Sequence, residues 1–315
     1  MKKILSLDGG GIKGVFPAAI LATLEDTLGA PVARHFDLIV GTSTGGILAL
    51  GLGLGWPARD MLRFYEELGP GVFARPRRLG RRLRMAKYDQ VPLREALRRQ
   101  LADRRLGDSM TRLVIPSFNM ETGEVYLYKT AHHPRFERDY KESAVDVALA
   151  TAAAPTYFPA HISAAGLPLV DGGTWANNPV GLAVVEALGV LAWPTEELAV
   201  LSIGCTTHPF DARRGGWQEG GYAFWLPKIV DLFMTAQASS SLGTAQVLIG
   251  HERVVRINPI VPRGRFTLDA VADIPHLRGL GAAEARKALP QLRPLFFDTL
   301  VDPFEPYHVL GESRL

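Results

Sequence analysis

A serine flanked by glycines is the first candidate for chemistry in this chain. Gly41, Ser43 and Gly45 form the pattern G-x-S-x-G, which follows an apolar stretch over residues 36–40 and precedes an apolar helix. In a sharp strand-to-helix turn, such a pattern exposes the serine hydroxyl near the positive end of the helix, and the glycines leave room for a strained serine backbone. The pattern alone is common, but its placement predicts a nucleophile elbow at Gly41 and Gly45 with Ser43 as the nucleophile.

A run of glycines near the N terminus is the second candidate. Gly9, Gly10 and Gly11 follow a short apolar strand and open a helix, with Lys13 close behind. Backbone N–H groups that no side chain covers can bind negative charge, as an oxyanion hole binds the tetrahedral intermediate of acyl transfer. We therefore expect an oxyanion hole at Gly9, Gly10, Gly11 and Lys13, where Lys13 adds positive potential or anchors the loop.

An acidic turn supplies a candidate base for the serine. Asp171, Gly172 and Gly173 follow an apolar strand, and an acid on a glycine turn can approach Ser43 closely. A carboxylate is a weak base toward a hydroxyl, so it must be desolvated while the oxyanion is stabilised. In isolation the same tripeptide is more often a plain turn. With Ser43 in the chain, it predicts Asp171 as the base.

A serine hydrolase with a catalytic histidine is one alternative. The α/β-hydrolase order is serine, then acid, then histidine, and several histidines do follow Asp171 in the chain. These are His208, His251, His276 and His308. None of them lies in an obvious catalytic loop, and Ser43 follows the second strand, whereas that fold places its elbow after several strands. The order alone does not exclude this alternative.

A dinucleotide site is the second alternative. Residues 9–14 also satisfy G-x-G-x-x-G between a strand and a helix, which is the fingerprint of Rossmann-type proteins. That fold uses an acid about 20 residues further on, at the end of the second strand, to hold the ribose. The nearby acid, Asp37, lies at the beginning of the second strand. The pattern favours a hydrolase, with a dinucleotide-binding protein as the alternative.

Taken together, the three motifs resemble those of the patatin-like phospholipase family. Residues 8–14, 41–45 and 171–173 match its patterns D-G-G-G-x-[KR]-G, G-x-S-x-G and D-G-[GA] in order, without a departure. The resemblance implies a three-layer α/β/α fold with a mostly parallel central sheet. It also implies a Ser43–Asp171 dyad without histidine or metal, oxyanion donors around Gly10 and Gly11, a covalent acyl-serine, and phospholipids or other acyl lipids as substrates.

A further segment is similar to bacterial members of that family. Residues 231–240 resemble a helix in proteins of which some are switched on by a cyclic nucleotide and degrade the host membrane in antiphage defence. The resemblance therefore implies no cofactor other than a cyclic oligonucleotide activator. The competing interpretation is a constitutive housekeeping lipase or esterase.

The elements that must position these motifs follow from hydrophobic periodicity. The first 54 residues read as β-turn-α-β-turn-α, which favours parallel strands with right-handed crossovers. We predict strands over residues 3–7, 36–40, 113–119, 124–129, 167–170, 198–203 and 253–257. We predict helices over residues 15–28, 47–54, 57–68, 91–101, 143–154, 179–191 and 223–242, and a helical and irregular region over the last forty residues. No repeat or clear linker interrupts the 315 residues, so we expect one domain over residues 1–315 with a motif-bearing core over residues 1–190.

Basic residues are unevenly distributed along the chain, although the net charge is only +3. A cluster that attracts anionic phosphates comprises Arg75, Arg77, Arg78, Arg81, Arg82, Arg84 and Lys87. A second basic group, which follows soon after, comprises Arg98, Arg99, Arg104 and Arg105. The first cluster is a candidate contact for an anion or a membrane and a candidate part of a mobile lid. The plain alternative is a solvated surface loop.

Location and partners follow from what the chain contains. The N-terminal apolar run is too short for a signal peptide, and residues 46–56, the most apolar stretch, have about half the length that spans a bilayer. The single cysteine, Cys205, fits a reducing compartment. We expect a cytoplasmic protein that meets the inner face of the cell membrane transiently, with membrane phospholipids as substrate, a cyclic nucleotide as a candidate ligand, and no nucleic-acid partner. A homo-oligomer stays open, and so does a membrane-binding module without turnover.

Overall fold

The architecture is a central β-sheet between two helical layers. The computed structural model describes residues 1–82, 84–209, 221–225 and 228–311. Its strands are β1 (Lys2–Leu7), β2 (Leu38–Gly41), β3 (Arg112–Asn119), β4 (Glu124–Lys129), β5 (His161–Ile162), β6 (Pro168–Asp171), β7 (Leu198–Ile203) and β8 (Val254–Ile257). Their order in the sheet is β5-β6-β3-β2-β1-β7-β8, with β4 paired to β3. The run from β3 to β8 is parallel, whereas β4, β5 and β6 pair antiparallel.

The helices of the described residues cover both faces of this sheet. They are α1 (Val15–Leu28), α2 (Thr44–Gly53), α3 (Ala58–Phe73), α4 (Leu79–Arg82), α5 (Val91–Leu101), α6 (Ala144–Thr151), α7 (Gly173–Ala176), α8 (Val180–Gly189), α9 (Tyr222–Trp225), α10 (Ile229–Ile249) and α11 (Ile274–Leu292). None of them combines the length and the hydrophobicity that crossing a bilayer requires.

Two hydrophobic cores, one on each face of the sheet, pack the helical layers against it. Successive residues of β1 point to opposite faces, so Leu5 packs into one core and Ile4 into the other. The larger core joins the sheet to α1, α2, α3, α5, α6 and α11, and the smaller one joins it to α8 and α10. Strands that are buried on both faces read as nearly continuous apolar runs, which is the pattern of β1, β2 and β7 apart from Lys3, Ser6 and Ser202. The fold class predicted from the sequence is therefore correct.

Differences from the predicted elements are local. The helix predicted over residues 57–68 continues through Gly69 and Pro70 to Phe73, because packing holds it beyond residues that usually stop a helix. The helix predicted over residues 223–242 is two helices, α9 and α10, and residues 226–227 between them lie outside the described residues. The structure also adds the two-residue strand β5, which is too short to leave a pattern.

One feature of the topology brings two strand ends together. Because β4 occupies one edge of β3, strands β2 and β6 share the other edge: β2 pairs with residues 112–114 and β6 with residues 117–119. Strand β2 is parallel to β3 and β6 is antiparallel, so the two run toward each other along that edge. Their carboxyl ends, which lead to Ser43 and Asp171, therefore meet.

Candidate active site

The turn between β2 and α2 holds Ser43 in a strained conformation. Its φ is 56° and its ψ is −121°, a region that residues with a side chain rarely adopt. Gly41 and Gly45 permit the turn, since a Cβ on Gly41 would lie 2.1 Å from the carbonyl oxygen of Gly45, and one on Gly45 would lie 2.3 Å from that of Leu7. The structure thus places Gly41, Ser43 and Gly45 as a nucleophile elbow does.

Ser43 and Asp171 form a direct and nearly buried contact. The Ser43 hydroxyl donates to Oδ2 of Asp171 over 2.6 Å, and the N–H of Gly173 donates to Oδ1 over 2.6 Å. Ser43 is 8% exposed and Asp171 is 4% exposed. Burial raises the pKa of Asp171 to about 6, although the hydrogen bonds from Ser43 and Gly173 act in the opposite direction. The carboxylate is therefore mostly ionised at neutral pH yet more basic than an exposed aspartate.

The acid motif is shaped by its glycines. A Cβ on Gly172 would lie 2.3 Å from the carbonyl oxygen of Pro116, so only glycine allows β6 to turn this close to β3. Gly173 begins the short helix α7, and its N–H is the donor that fixes the Asp171 carboxylate. Both glycines therefore act on Asp171 through the backbone.

Buried hydroxyls support the elbow from the sheet side. The N–H of Ser43 donates to Oγ1 of Thr151 over 3.0 Å, and that hydroxyl donates in turn to the carbonyl oxygen of Pro116 over 2.6 Å. Thr42 donates from Oγ1 to the carbonyl oxygen of Ala176 over 2.6 Å. The serine turn is thus tied both to the end of α6 and to the short helix that follows Asp171.

The glycine loop lies directly beside Ser43. The N–H of Gly9 donates to the carbonyl oxygen of Asn177 over 2.9 Å, and a Cβ on Gly9 would lie 3.2 Å from Cβ of Ser43. Gly9 therefore provides close approach, and its N–H is not free for an oxyanion. Among the described residues, nothing accepts a hydrogen bond from the N–H groups of Gly10 and Gly11. These two donors are open, and Gly11 has a φ of +57°, which favours glycine.

Neighbouring charges fix this loop. Arg256 on β8 donates from Nη1 to Oδ1 of Asp8 over 2.7 Å and from Nη2 to Oδ2, and it also donates to Ser202. A fork of this kind orients Asp8, the residue before the glycines. Lys13 is half-buried and acts through its charge on Asp8 and on Cys205. Burial raises the pKa of Cys205 to about 12, so its thiol stays protonated.

The loop before α11 covers the other side of the glycines. The N–H of Ile12 donates to the carbonyl oxygen of Leu268 over 2.8 Å, and a Cβ on Gly11 would lie 2.3 Å from that oxygen. The chain itself thus packs on the loop where a dinucleotide would need space for its pyrophosphate. This contact does not favour the dinucleotide alternative.

The histidine alternative finds no geometric support in the part of the chain that the structure describes. No histidine there hydrogen-bonds to Ser43 or Asp171. His208 contacts Asp231 at 3.2 Å, and His308 contacts the carbonyl oxygen of Pro134 at 2.7 Å, while His251 and His276 are exposed. Nor do any three His, Cys, Asp or Glu side chains of the described residues come close enough together to hold a metal ion.

The predicted basic cluster divides into anchors and free side chains. Arg77 donates to the carbonyl oxygens of Ala86 and Tyr88 and to Asp89, and Lys87 pairs with Asp269. The remaining members are exposed, and these are Arg75, Arg78, Arg81, Arg82 and Arg84. We call residues 75–82, 84 and 85 the arginine segment. None of its exposed arginines contacts Ser43 or Asp171.

Several supporting residues carry no signal that sequence patterns detect. Thr151 ends an alanine-rich helix, Arg256 lies in an apolar strand, and Asn177 and Leu268 lie in loops. Their partners are more than a hundred positions away, as with Thr151 and Ser43 or Arg256 and Asp8. The one usable hint is that Thr151 and Arg256 are polar within apolar runs, which favours a buried partner.

Known proteins share both the sequence and the fold. Residues 5–184 match the family model of the patatin-like phospholipases. The cGAMP-activated phospholipase of Pseudomonas aeruginosa is 42% identical over 241 residues, which cover 75% of this chain and 72% of that protein. The protein of the same name from Vibrio cholerae is 38% identical over 219 residues, 64% of this chain and 62% of that protein.

A solved structure agrees at the level of the fold. VipD from Legionella pneumophila superposes with a TM-score of 0.50 at 15% identity, over 92% of this chain and 67% of that chain. With a family model that matches more than half of the residues, and with a relative of 42% identity that this chain covers by 72%, the chain belongs to the patatin-like phospholipase family of lipid acyl hydrolases.

Proposed function

We propose that this chain cleaves phospholipid esters through Ser43 and Asp171. The observation that carries the proposal is the 2.6 Å hydrogen bond from a serine on a strained elbow to a buried carboxylate with a raised pKa. Asp171 takes the proton of Ser43 as the oxygen attacks the ester carbonyl, and an acyl-serine forms as the lysolipid alcohol leaves with that proton. Water, activated by Asp171, then releases the fatty acid.

The oxyanion donors in this proposal are the N–H groups of Gly10 and Gly11. They lie at the start of a helical turn, and within the described residues no acceptor engages them. Removing one such donor costs roughly 3–4 kcal/mol of transition-state stabilisation in a serine hydrolase. Lys13 adds positive potential nearby, and Gly9 lets the loop approach Ser43.

We further propose that a cyclic nucleotide switches the enzyme on. Two relatives carry cGAMP activation in their names, with 42% and 38% identity. The burial of the site supports the same idea, because Ser43 is only 8% exposed and Leu268 packs on the glycine loop. A lipid ester can reach Ser43 only after some part of the surrounding chain moves. Antiphage defence, and a cytoplasmic protein acting at the inner membrane face, belong to this proposal.

The test is fatty-acid release from mixed phospholipid vesicles with EDTA present. Wild type, Ser43→Ala and Asp171→Asn are compared with and without cGAMP and a panel of other cyclic nucleotides. We expect wild type to release fatty acid with cGAMP, and both variants to lose roughly 10⁴-fold or more. Since the base has a pKa of about 6, the rate should rise from pH 5 to pH 7.

The matched control is Ser6→Ala. Ser6 is a buried serine of β1 whose hydroxyl has no partner among the described residues, so the same substitution there should leave release intact. Full release by Ser43→Ala would refute the dyad. Equal release with and without every nucleotide would refute the switch and identify a constitutive lipase. Vesicle binding without any release would favour a membrane-binding module.

A further inference from the structure

The exposed arginines of the arginine segment present positive charge that no carboxylate of the described residues neutralises. Its exposed side chains are Arg75, Arg78, Arg81, Arg82 and Arg84, and none of them lies within salt-bridge distance of a described carboxylate. The sequence from residue 74 to residue 88 contains no aspartate or glutamate. Some other exposed arginines of the fold do find acidic partners, as Arg59 does with Asp26 and Arg278 with Glu66.

Two large apolar side chains stand among these arginines. Leu79 is 78% exposed and Met85 is 50% exposed. Leaving such side chains in water gives up the free energy that burying them would release. A surface that combines free arginines with exposed apolar side chains is the composition of segments that lie in a membrane interface.

The segment is held firmly at its two ends. Arg77 donates to two carbonyl oxygens at 2.8 Å and to Asp89 at 2.9 Å. Lys87 pairs with Asp269, and its ammonium lies over the rings of Tyr88 and Tyr157. The main anchors are the half-buried cations, and among the exposed arginines Arg82 adds a hydrogen bond from its Nε to the carbonyl oxygen of Arg77.

The same anchors place the segment near the candidate active site. The N–H of Lys87 donates to the carbonyl oxygen of Thr156 over 2.8 Å. Three residues earlier in that loop, the carbonyl oxygen of Ala153 accepts the N–H of Asp171 over 3.0 Å. One short loop therefore supports both the arginine segment and the proposed base.

We propose that the arginine segment is the surface by which this chain docks on an anionic bilayer. The proposal rests on the lipid acyl hydrolase function proposed above and adds the kind of surface on which that activity works. The five exposed arginines bind lipid phosphates, while Leu79 and Met85 enter the apolar side of the interface. Docking by this segment brings the lipid close to the loop that supports Asp171.

The observations favour a bilayer over a soluble nucleotide. Small-molecule sites are concave, and they enclose most of the ligand. Leu79 and the exposed arginines stand in solvent, and no ring of a described aromatic residue is paired with them for stacking. A broad anionic plane can contact all of these side chains at once.

The experiment measures binding separately from hydrolysis. The full chain with Ser43→Ala is sedimented with vesicles of phosphatidylcholine and phosphatidylglycerol, and with vesicles of phosphatidylcholine alone. In this background, Arg78→Gln/Arg81→Gln/Arg84→Gln removes three free charges and spares Arg82, whose Nε donates to the carbonyl oxygen of Arg77. The matched control, Arg98→Gln/Arg99→Gln/Arg286→Gln, removes three exposed arginines elsewhere. A fourth chain carries Leu79→Ser/Met85→Ser.

We expect the chain to bind anionic vesicles and to lose binding as salt is raised. Each arginine near an anionic surface contributes about fivefold to the partition coefficient, so the triple variant should bind roughly a hundredfold less. Leu79→Ser/Met85→Ser should bind about tenfold less. The control triple should stay within about twofold of its parent, since its arginines lie outside the proposed docking segment. All chains should unfold at similar temperatures, which excludes a loss through misfolding.

Other outcomes overturn the proposal. Equal binding by the triple variant and its parent would show that another surface docks, and an equal loss in the control triple would show that only total charge matters. Loss of cGAMP binding in the triple variant with vesicle binding intact would assign the segment to the nucleotide. Hydrolysis of a water-soluble ester by the unaltered chain with cGAMP tests the acyl hydrolase alone, so failure of docking and failure of the enzyme are told apart.

Discussion

Asp171 carries its charge at neutral pH in a place that disfavours charge. Burial raises its pKa to about 6, and two hydrogen bonds, from Ser43 and Gly173, offset only part of that effect. The same desolvation that makes the carboxylate a better base also makes its ionised form a burden on the folded state. Proposed activity and stability therefore oppose each other at this residue.

Asp171→Asn should stabilise the protein in alkaline solution. The pKa of Asp171 is about 6 in the folded state, against an ordinary value of 3.8. Asp171 therefore does not lower the free energy of unfolding of the wild type below about pH 4, and it lowers that free energy progressively as the pH rises through 6. The loss amounts to about 3 kcal/mol. Asparagine stays neutral, so at pH 8 the variant should have the larger free energy of unfolding by up to that amount.

Chemical denaturation at pH 8 and at pH 5 measures this difference. Near pH 5 most of Asp171 is protonated in the folded wild type but ionised in the unfolded chain, so the gap between the two proteins should fall to about half of its value at pH 8. A gap of the same size at both values of pH, or a less stable variant at pH 8, would contradict the assignment of the raised pKa.

Two adjacent residues of one loop, Leu268 and Asp269, contact the glycine loop and the base of the arginine segment. The carbonyl oxygen of Leu268 accepts the N–H of Ile12 at the glycine loop, while the carboxylate of Asp269 accepts hydrogen bonds from Lys87 and Tyr88 below the arginine segment. Partial burial pushes the pKa of Asp269 up, but the hydrogen bonds from Lys87 and Tyr88 outweigh it and hold the pKa below its ordinary value. The loop thus couples the proposed oxyanion hole to the proposed docking surface.

Asp269→Asn should free the arginine segment. Without the carboxylate, Lys87 and Tyr88 lose charge-assisted hydrogen bonds, and the segment should open more often by roughly 5- to 30-fold, for a loss of about 1–2 kcal/mol. Tryptic cleavage within residues 75–84 reports that opening, because it follows the open population when closing is fast. If the basic cluster is part of a mobile lid, as its sequence suggests, the lid moves by the same opening.

Asp273→Asn is the control for this measurement. Asp273 lies four positions further on and pairs with Arg265 at 2.9 Å, away from Lys87. Its substitution should leave tryptic cleavage of the segment unchanged. Equal acceleration by both variants would mean that the loop loosens as a whole and that Asp269 has no particular hold on the segment.

Hydrophobic periodicity predicts most elements but not how they continue or pair. The predicted helices over residues 15–28 and 91–101 and the predicted strand over residues 198–203 have the bounds that the structure gives, because long apolar patterns dominate there. The prediction for α3 stops too early at residue 68, because Pro70 ends isolated helices but not one that packs on its neighbours. The antiparallel pairing of β6 with β3 is a tertiary choice that no local pattern encodes.

The residues of the candidate site also fall into two groups: those that local patterns predict and those that only the fold reveals. Its motif residues are predictable, since glycine, serine and aspartate at fixed spacing leave a local pattern, and the structure does bring Ser43 and Asp171 into contact. Its supports come from other parts of the chain, such as Thr151 beneath the elbow and Arg256 beneath the glycine loop. Predicting them requires the fold first.

A buried charge network joins helix α8 to the central sheet. Glu186 of α8 accepts from Lys129 at 2.7 Å and contacts His132 at 2.9 Å, and the other nitrogen of His132 contacts Thr130 at 2.8 Å. Burial lowers the pKa of His132 in spite of the neighbouring carboxylate, so its ring is neutral at pH 7. The network therefore links α8 to the end of β4, which pairs with β3.

Glu186→Gln should therefore destabilise the molecule without touching its chemistry. Removing one partner of a buried ion pair leaves the other charge uncompensated, which costs about 3 kcal/mol or more. The free energy of unfolding in urea measures it, beside Glu252→Gln as the control. Glu252 is exposed and lies 3.7 Å from Arg253, so its loss should cost less than about 1 kcal/mol. Similar costs for the two variants would contradict a structural role for the network.

The ion pair between Asp8 and Arg256 also determines how early during synthesis the candidate site can be complete. The two residues are 248 positions apart, so synthesis at about 5–20 residues per second separates them by roughly 12 to 50 s. During that interval a growing chain already carries its serine elbow, but the arginine that orients its glycine loop has not yet been made. The proposed lipid hydrolase would thus remain unfinished on the ribosome until most of its chain has been translated.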